Sequence, residues 1–225
     1  LLTAESASVL SKHASWVVVS LDAVDADTYA REKGVPAKRF TEACNGVISL
    51  TGGSAIVGVS FLLHAENWHQ ASRMRTLARD LGASYVTFRP AIQFAADAPR
   101  VPNTSRAWVT EAMPTLTWLA TDAFVECDPE RFAQYRDWTD HGYDTCHAVK
   151  VNATITPDGR AWLCPQRRGV GQALGDLRTE SFGDIWARHP STQTVDADCR
   201  VMCRLHLLNQ QIVPVFTAGA HEAFL

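Results

Sequence analysis

The chain has 225 residues, 46% of them hydrophobic and 20% charged. That is enough for one large domain or two small ones, and it excludes a disordered polymer. A net charge of -3 offers no basic excess for a nucleic-acid backbone or an anionic membrane.

The text opens in helix-like sequence, with Thr3 as a cap and Glu5 in the first turn. A chain that begins in mid-helix, at Leu1 rather than Met, is expected to be a fragment lacking an upstream part. No charged region followed by an apolar run opens it, so a cytoplasmic location is expected. Trp16 to Val19 is short, β-branched and continuous, as in a buried strand. A short helix is expected around 26–33. A longer one follows Pro36, with Phe40, Ala43, Val47, Ile48 and Leu50 at helical spacing. Ala55 to Leu63 is a second buried strand; like Trp16–Val19 it is too short to span a bilayer. Asn67 is placed to cap the next helix, which carries Met74, Leu77, Ala78 and Leu81 and stops at Gly82. Tyr85 to Phe88 is a third strand. Strands alternating with helices at this spacing predict βαβ units and a parallel sheet.

Residues 93–104 are irregular and read as a linker. A helix is expected over about 105–123, kinked at Pro114, and 124–145 shows no clear period. From 149 to 156 apolar and polar residues alternate. Pro157-Asp158-Gly159 is a turn signal, and 160–164 returns. Residues 146–164 are therefore expected to be a β-hairpin. A short strand at 173–177, a helix at 181–188 and a last helix over about 199–211 complete the chain.

The six cysteines are unevenly placed. Cys44 and Cys127 stand alone and read as buried small hydrophobes. Cys146 and Cys164 fall at the two ends of the expected hairpin, which brings them together at its open end. Cys199 and Cys203 are four positions apart, which puts both on one helical face, or one at a helix cap and one inside the helix. Two preorganised pairs of thiols can close around one metal centre. Four thiolates suit structural zinc and an iron–sulfur cluster alike. Two disulfides are a further arrangement, disfavoured without a secretory context. His147 and His206 lie near enough in sequence to replace a cysteine.

Several ordered pieces resemble a known family. They are Ser20-Leu21-Asp22 after a Val-rich strand, Gly34 to Phe40, His64-Ala65-Glu66-Asn67, and Gly82 through Arg89-Pro90. Then come Cys146, twelve residues, Gly159, four residues, Cys164; Leu174-Gly175-Asp176-Leu177; Ser181 through Trp186; and Cys199, Cys203 and Asn209. Together they resemble the radical SAM superfamily: the second half of its barrel, then the twitch form of its SPASM extension. The resemblance implies an α/β fold, the C-terminal half of a partial (β/α)6 TIM-like barrel followed by a small α+β domain with a β-hairpin and a helix. It implies a partial barrel at 1–104, a linking helix and loop at 105–145, and an iron–sulfur domain at 146–225.

The implied function is radical oxidation or modification of a small molecule or peptide, using S-adenosylmethionine and iron–sulfur clusters. An electron donor such as flavodoxin or ferredoxin would serve it. Cys146, Cys164, Cys199 and Cys203 correspond to the ligands of an auxiliary [4Fe-4S] cluster, although the last gap is three residues rather than the commoner two. Ser20, Asn67 and Arg89 correspond to strand-end residues that face S-adenosylmethionine. Asn67 equally suits a helix cap, Arg89 a surface ion pair, and Asp22 a turn. The family's Cys-x3-Cys-x2-Cys triplet and its Gly-Gly-Glu stretch are absent. S-adenosylmethionine and the second, catalytic [4Fe-4S] cluster are therefore expected only in a longer protein, and this polypeptide alone is expected to be inactive. The alternative is a non-catalytic zinc or iron–sulfur module on an α/β scaffold.

Overall fold

A computed structural model describes residues 4–92, 106–196, 199 and 202–216. The described residues fall into two compact units, one built from 4–91 and 106–137, the other from 138 onward. Thr3 and the expected linker at 93–104 lie outside the described residues.

The first unit is a four-stranded parallel sheet in the order β1-β2-β3-β4. Its strands are β1 (Trp16–Ser20), β2 (Ile56–Leu63), β3 (Tyr85–Pro90) and β4 (Val125–Cys127). Sequential neighbours with helical connections are what an arc of a β/α barrel requires; a doubly wound sheet would reverse order partway. The helices are α1 (Ala4–His13), α2 (Ala26–Lys33), α3 (Lys38–Thr51), α4 (Ala71–Asp80), α5 (Trp108–Leu119) and α6 (Pro129–Asp137). Val57, Val59, Phe61, Leu63, Val86 and Phe88 are buried in one core with Val47, Leu50, Met74, Ala78, Leu116 and Phe132 of the helices. Residues paired across the sheet point to the same side. The opposite face therefore carries Trp16, Val18 and Ser20 on β1, Ile56 and Leu62 on β2, and Thr87 and Arg89 on β3. Trp16, Val18, Ile56 and Leu62 on that face are exposed, so β1 forms as expected but is not the buried strand its continuous apolar run predicts.

The irregular text after 104 holds more order than its pattern predicts. Val125–Cys127 adds a fourth strand, in register with Val86 to Phe88. Pro114 sits inside α5. Five apolar side chains of that helix (Trp108, Val109, Ala112, Leu116 and Leu119) are buried, so packing offsets the missing amide donor.

Asp22 joins three elements. Its backbone is left-handed (φ 54), which Asp tolerates better than most side chains. Its carboxylate accepts from the Leu62 amide (2.8 Å), from the Ser20 hydroxyl and from the Lys33 ammonium. It is a structural tie rather than a mere turn cap. Asp25 caps α2 by accepting from the Thr28 amide at 2.8 Å, and Gly34 (φ 63) ends it. Asn67 does not cap with its side chain. Its Oδ1 accepts from the His64 amide and its Nδ2 donates to the Leu62 carbonyl, so it closes the loop after β2. Among the described residues no helix is long and apolar enough to cross a membrane.

The second unit is built from short pieces. β5 (Thr145–Cys146) pairs antiparallel with β9 (Gln193–Thr194). β6 (Thr154–Ile155), β7 (Arg160–Trp162) and β8 (Gly175–Asp176) form a three-stranded sheet. The helices are α7 (Phe182–Ala187) and α8 (His206–Phe216). The hairpin is thus shorter than the expected 146–164. Residues Ala148–Val151 form a 3-10 turn instead of a strand, and Cys146 belongs to a different ladder. The last helix starts at His206, so Cys199 and Cys203 precede it and do not share a helical face.

Replacing Asp22 by Ala leaves a part-buried amide and an ammonium without their acceptor. Urea denaturation should show a loss of about 1.5–3 kcal/mol, against about 1 kcal/mol for Asp25→Ala, which removes only a cap.

Candidate metal centre

Cys146, Cys164, Cys199 and Cys203 line one pocket of the second unit, with about 350 Å³ of empty space partly open to solvent. His141, Tyr143, Gln166 and Arg167 share its wall. All six cysteines of the chain are free thiols, so no pairing into disulfides competes with this arrangement. Among the described residues no three His, Cys, Asp or Glu side chains stand close enough to hold a single metal ion.

Each sulfur is delivered by a different local device. Cys146 ends the β5 strand, just before the 3-10 turn. Cys164 follows β7 and precedes Pro165, which opens another short turn. Met202, one residue before Cys203, takes a left-handed backbone (φ 55). The hairpin turn itself is held by Gly159 (φ 82) and by Thr156, whose hydroxyl accepts from the Trp162 indole at 3.0 Å.

Burial pushes the thiols of Cys146 and Cys164 up from their ordinary range, and that of Cys203 to about 11. Backbone amides act the other way. Those of Ala148 and Val149 favour the Cys146 thiolate, those of Arg167 and Gln166 the Cys164 thiolate, and that of Leu205 the Cys203 thiolate. Arg167 approaches the Cys199 sulfur at 3.7 Å and is itself ion-paired with Asp196. Amide dipoles and one guanidinium thus face the sulfurs, a setting that suits a bound anionic group.

Asn209 is fully buried on α8. Its Oδ1 accepts from the amides of His147 (2.6 Å) and Ala148 (3.1 Å), and its Nδ2 reaches the Thr145 carbonyl (3.4 Å). One side chain therefore grips the backbone on both sides of Cys146. Its place in the sequence motif was legible; this task was not, because nothing local predicts a bond between residues 62 positions apart. His206 supports the same corner. Its ring stacks on Tyr143 at 5.6 Å and meets Trp138 edge-on at 4.8 Å.

Residues 146–205 match the SPASM family, an iron-sulfur cluster-binding domain. The second unit contains a SPASM domain. The fold is similar to that of SuiB from Streptococcus suis, at 13% identity and a TM-score of 0.58 over 85% of this chain and 47% of SuiB. SuiB bound to its precursor peptide SuiA matches at 12% identity with a TM-score of 0.59, covering 84% of this chain and 46% of SuiB. SuiB bound to S-adenosylmethionine matches at 12% identity with a TM-score of 0.57, over 85% and 47%. The chain spans about half the length of these structures. No curated protein matches the sequence.

The SPASM domain's Leu174 to Trp186 segment is a support. Gly175 lies where an added Cβ would stand 2.6 Å from Ile185, and Ser181 caps α7 by accepting from the Asp184 amide at 3.2 Å. The Arg178 guanidinium and backbone amide hold the Asp176 carboxyl down at about 2. A lowered carboxyl contributes stability that is present above its unfolded pKa of about 3.9 and lost as pH falls through the folded value. Acid titration should show part of the SPASM domain's stability disappearing between about pH 4 and pH 2, and Asp176→Asn should flatten that segment of the curve.

In the first unit Ser20 and Arg89 lie on the same exposed sheet face, near the C-terminal ends of β1 and β3. Ser20 donates to Asp22. Asn67 is buried with both ends of its amide bonded to backbone. Cys44 is buried in the core, and the Cys127 thiol is pushed up to about 12 by desolvation. Neither of these two lines the four-cysteine pocket.

Proposed function

We propose that this chain is part of a radical S-adenosylmethionine enzyme that modifies a peptide, with Cys146, Cys164, Cys199 and Cys203 holding an auxiliary [4Fe-4S] cluster. The observation that carries the reading is the convergence of four free thiols on one pocket inside a SPASM domain. The match of residues 146–205 to an iron-sulfur cluster-binding domain favours a cluster over one zinc ion. The amides facing Cys146, Cys164 and Cys203, with Arg167 beside Cys199, suit the negative charge of a thiolate-ligated cluster.

When bound, such a group supplies one-electron transfer at a potential set by its surroundings. The chain's own residues hold and shield it. Asn209 fixes the backbone around Cys146, Pro165 turns the chain after Cys164, and Tyr143 and Leu205 exclude water from the pocket wall.

The likeness to the fold of SuiB, which has been solved with S-adenosylmethionine and with a precursor peptide, supports both ligand classes. S-adenosylmethionine would lie against the exposed face that carries Ser20 and Arg89, since strand C-termini of β/α barrels build the site. Asn67 would shape that rim through its loop. The catalytic cluster's Cys-x3-Cys-x2-Cys is not among these 225 residues, so cleavage of S-adenosylmethionine requires a segment beyond them. An electron donor of the flavodoxin or ferredoxin kind would feed the assembled enzyme.

Anaerobic loading with iron and sulfide should give a brown chain that absorbs near ~400 nm and holds about four irons. Alanine at Cys146, Cys164, Cys199 or Cys203 should abolish or strongly reduce iron uptake, and Cys44→Ala should not. Uptake of one zinc with no colour would overturn the proposal. Asn209→Ala leaves the four thiols in place but frees the backbone around Cys146. It should keep the SPASM fold by circular dichroism, yet lose iron to a chelator at least several-fold faster than the parent chain.

A further inference from the structure

The wall of the four-cysteine pocket contains two polar side chains that nothing among the described residues satisfies. Gln166 is 2% exposed, and neither its Oε1 nor its Nε2 has a hydrogen-bond partner. His141 is 8% exposed, and its Nε2 is equally unpartnered. Both line the pocket beside the sulfurs. A buried donor without an acceptor costs about 1–3 kcal/mol, and such groups are rare in folded proteins. The two nitrogens, Gln166 Nε2 and His141 Nε2, at one small site point to an acceptor that occupies the space between them; the Gln166 Oε1 is not served by it.

We infer that Gln166 and His141 are hydrogen-bond donors to the sulfur atoms of the bound cluster, and that they set its reduction potential. The inference rests on the auxiliary-cluster reading above. An iron–sulfur cluster with cysteine ligands presents only acceptors to its surroundings, so it complements the amide NH2 of Gln166 and a ring N–H of His141. Burial lowers the His141 pKa and the neighbouring His206 acts in the same direction. A neutral ring has one proton to place, and the cluster selects the tautomer that carries it on Nε2. Trp138 and Tyr143 hold that ring by edge contacts at 5.2 and 5.5 Å. Gln166 is held by its place in the short turn after Cys164. Each donated bond stabilises the more negative, reduced state more than the oxidised one, so both residues raise the potential. They are positioning and tuning residues, not ligands.

The test uses the whole 225-residue chain, loaded anaerobically with iron and sulfide and titrated electrochemically with the spectrum as readout. Gln166→Leu and His141→Phe remove the donors while keeping volume and apolar packing. Each should retain about four irons and shift the midpoint potential to a more negative value, with the double variant shifted further. Gln211→Leu, exposed on α8, should leave it unchanged. An unchanged potential in both single variants, with the cluster intact, overturns the inference while leaving the auxiliary-cluster reading standing. Failure of the parent chain to take up iron overturns both. A measurement that needs no variant is pulsed electron paramagnetic resonance of the reduced parent chain carrying 15N only in the side-chain amide of glutamine and the imidazole of histidine. Weak nitrogen couplings from both residue types support the inference; their absence overturns it.

Discussion

Burying thiols is the constraint from which the rest of the second unit follows. Desolvation disfavours the thiolates of Cys146, Cys164 and Cys203, yet a thiolate is the form that ligates metal. The amides turned toward three of the sulfurs and the guanidinium beside the fourth reduce that penalty without removing it. On the proposed reading, a cationic inorganic core would offset it, and binding there would release protons and contribute to the stability of a unit with few long strands.

That unit needs such help. Its strands are two or three residues long, and its apolar core is a small cluster around Val149, Leu163 and Leu205. The first unit differs. Four parallel strands and their helices bury a continuous core from Ala7 to Phe132, and its polar ties, Asp22 and Asn67, are spent on backbone amides and carbonyls. The same chemical types thus have different duties in the two units: carboxylate and amide groups close loops in one, and amide and imidazole groups remain available to a guest in the other.

Much of the first unit was legible in the sequence. Short β-branched runs at Trp16–Val19 and Ala55–Leu63, separated by amphipathic helices, leave little freedom but a parallel sheet. The β4 strand was not legible, because three residues carry no period, and its pairing is decided by β3. In the second unit the cysteine set was legible and its geometric rationale was not. The alternating text after Cys146 predicts one long hairpin. Val149 instead turns inward in a 3-10 segment, with its neighbours' amides committed to Asn209 and to the Cys146 sulfur. Tertiary hydrogen bonds outweighed a local alternation of only a few residues. The pairing of Cys199 and Cys203 on one helical face failed for a related reason: α8 begins after both. Gln166 and His141 gave no signal in the sequence, since a lone buried amide or imidazole is recognised only once its surroundings are known.

The grip of Asn209 on the chain around Cys146 has a consequence for the order of events at the ribosome. The amides it holds are made some sixty residues before it is. Closing a loop of that length carries an entropy cost of roughly 4 kcal/mol, so the corner stays loose while the nascent chain is short. On the proposed reading, iron delivered early would meet cysteines not yet gathered, and the centre would be completed only after the final helix has emerged.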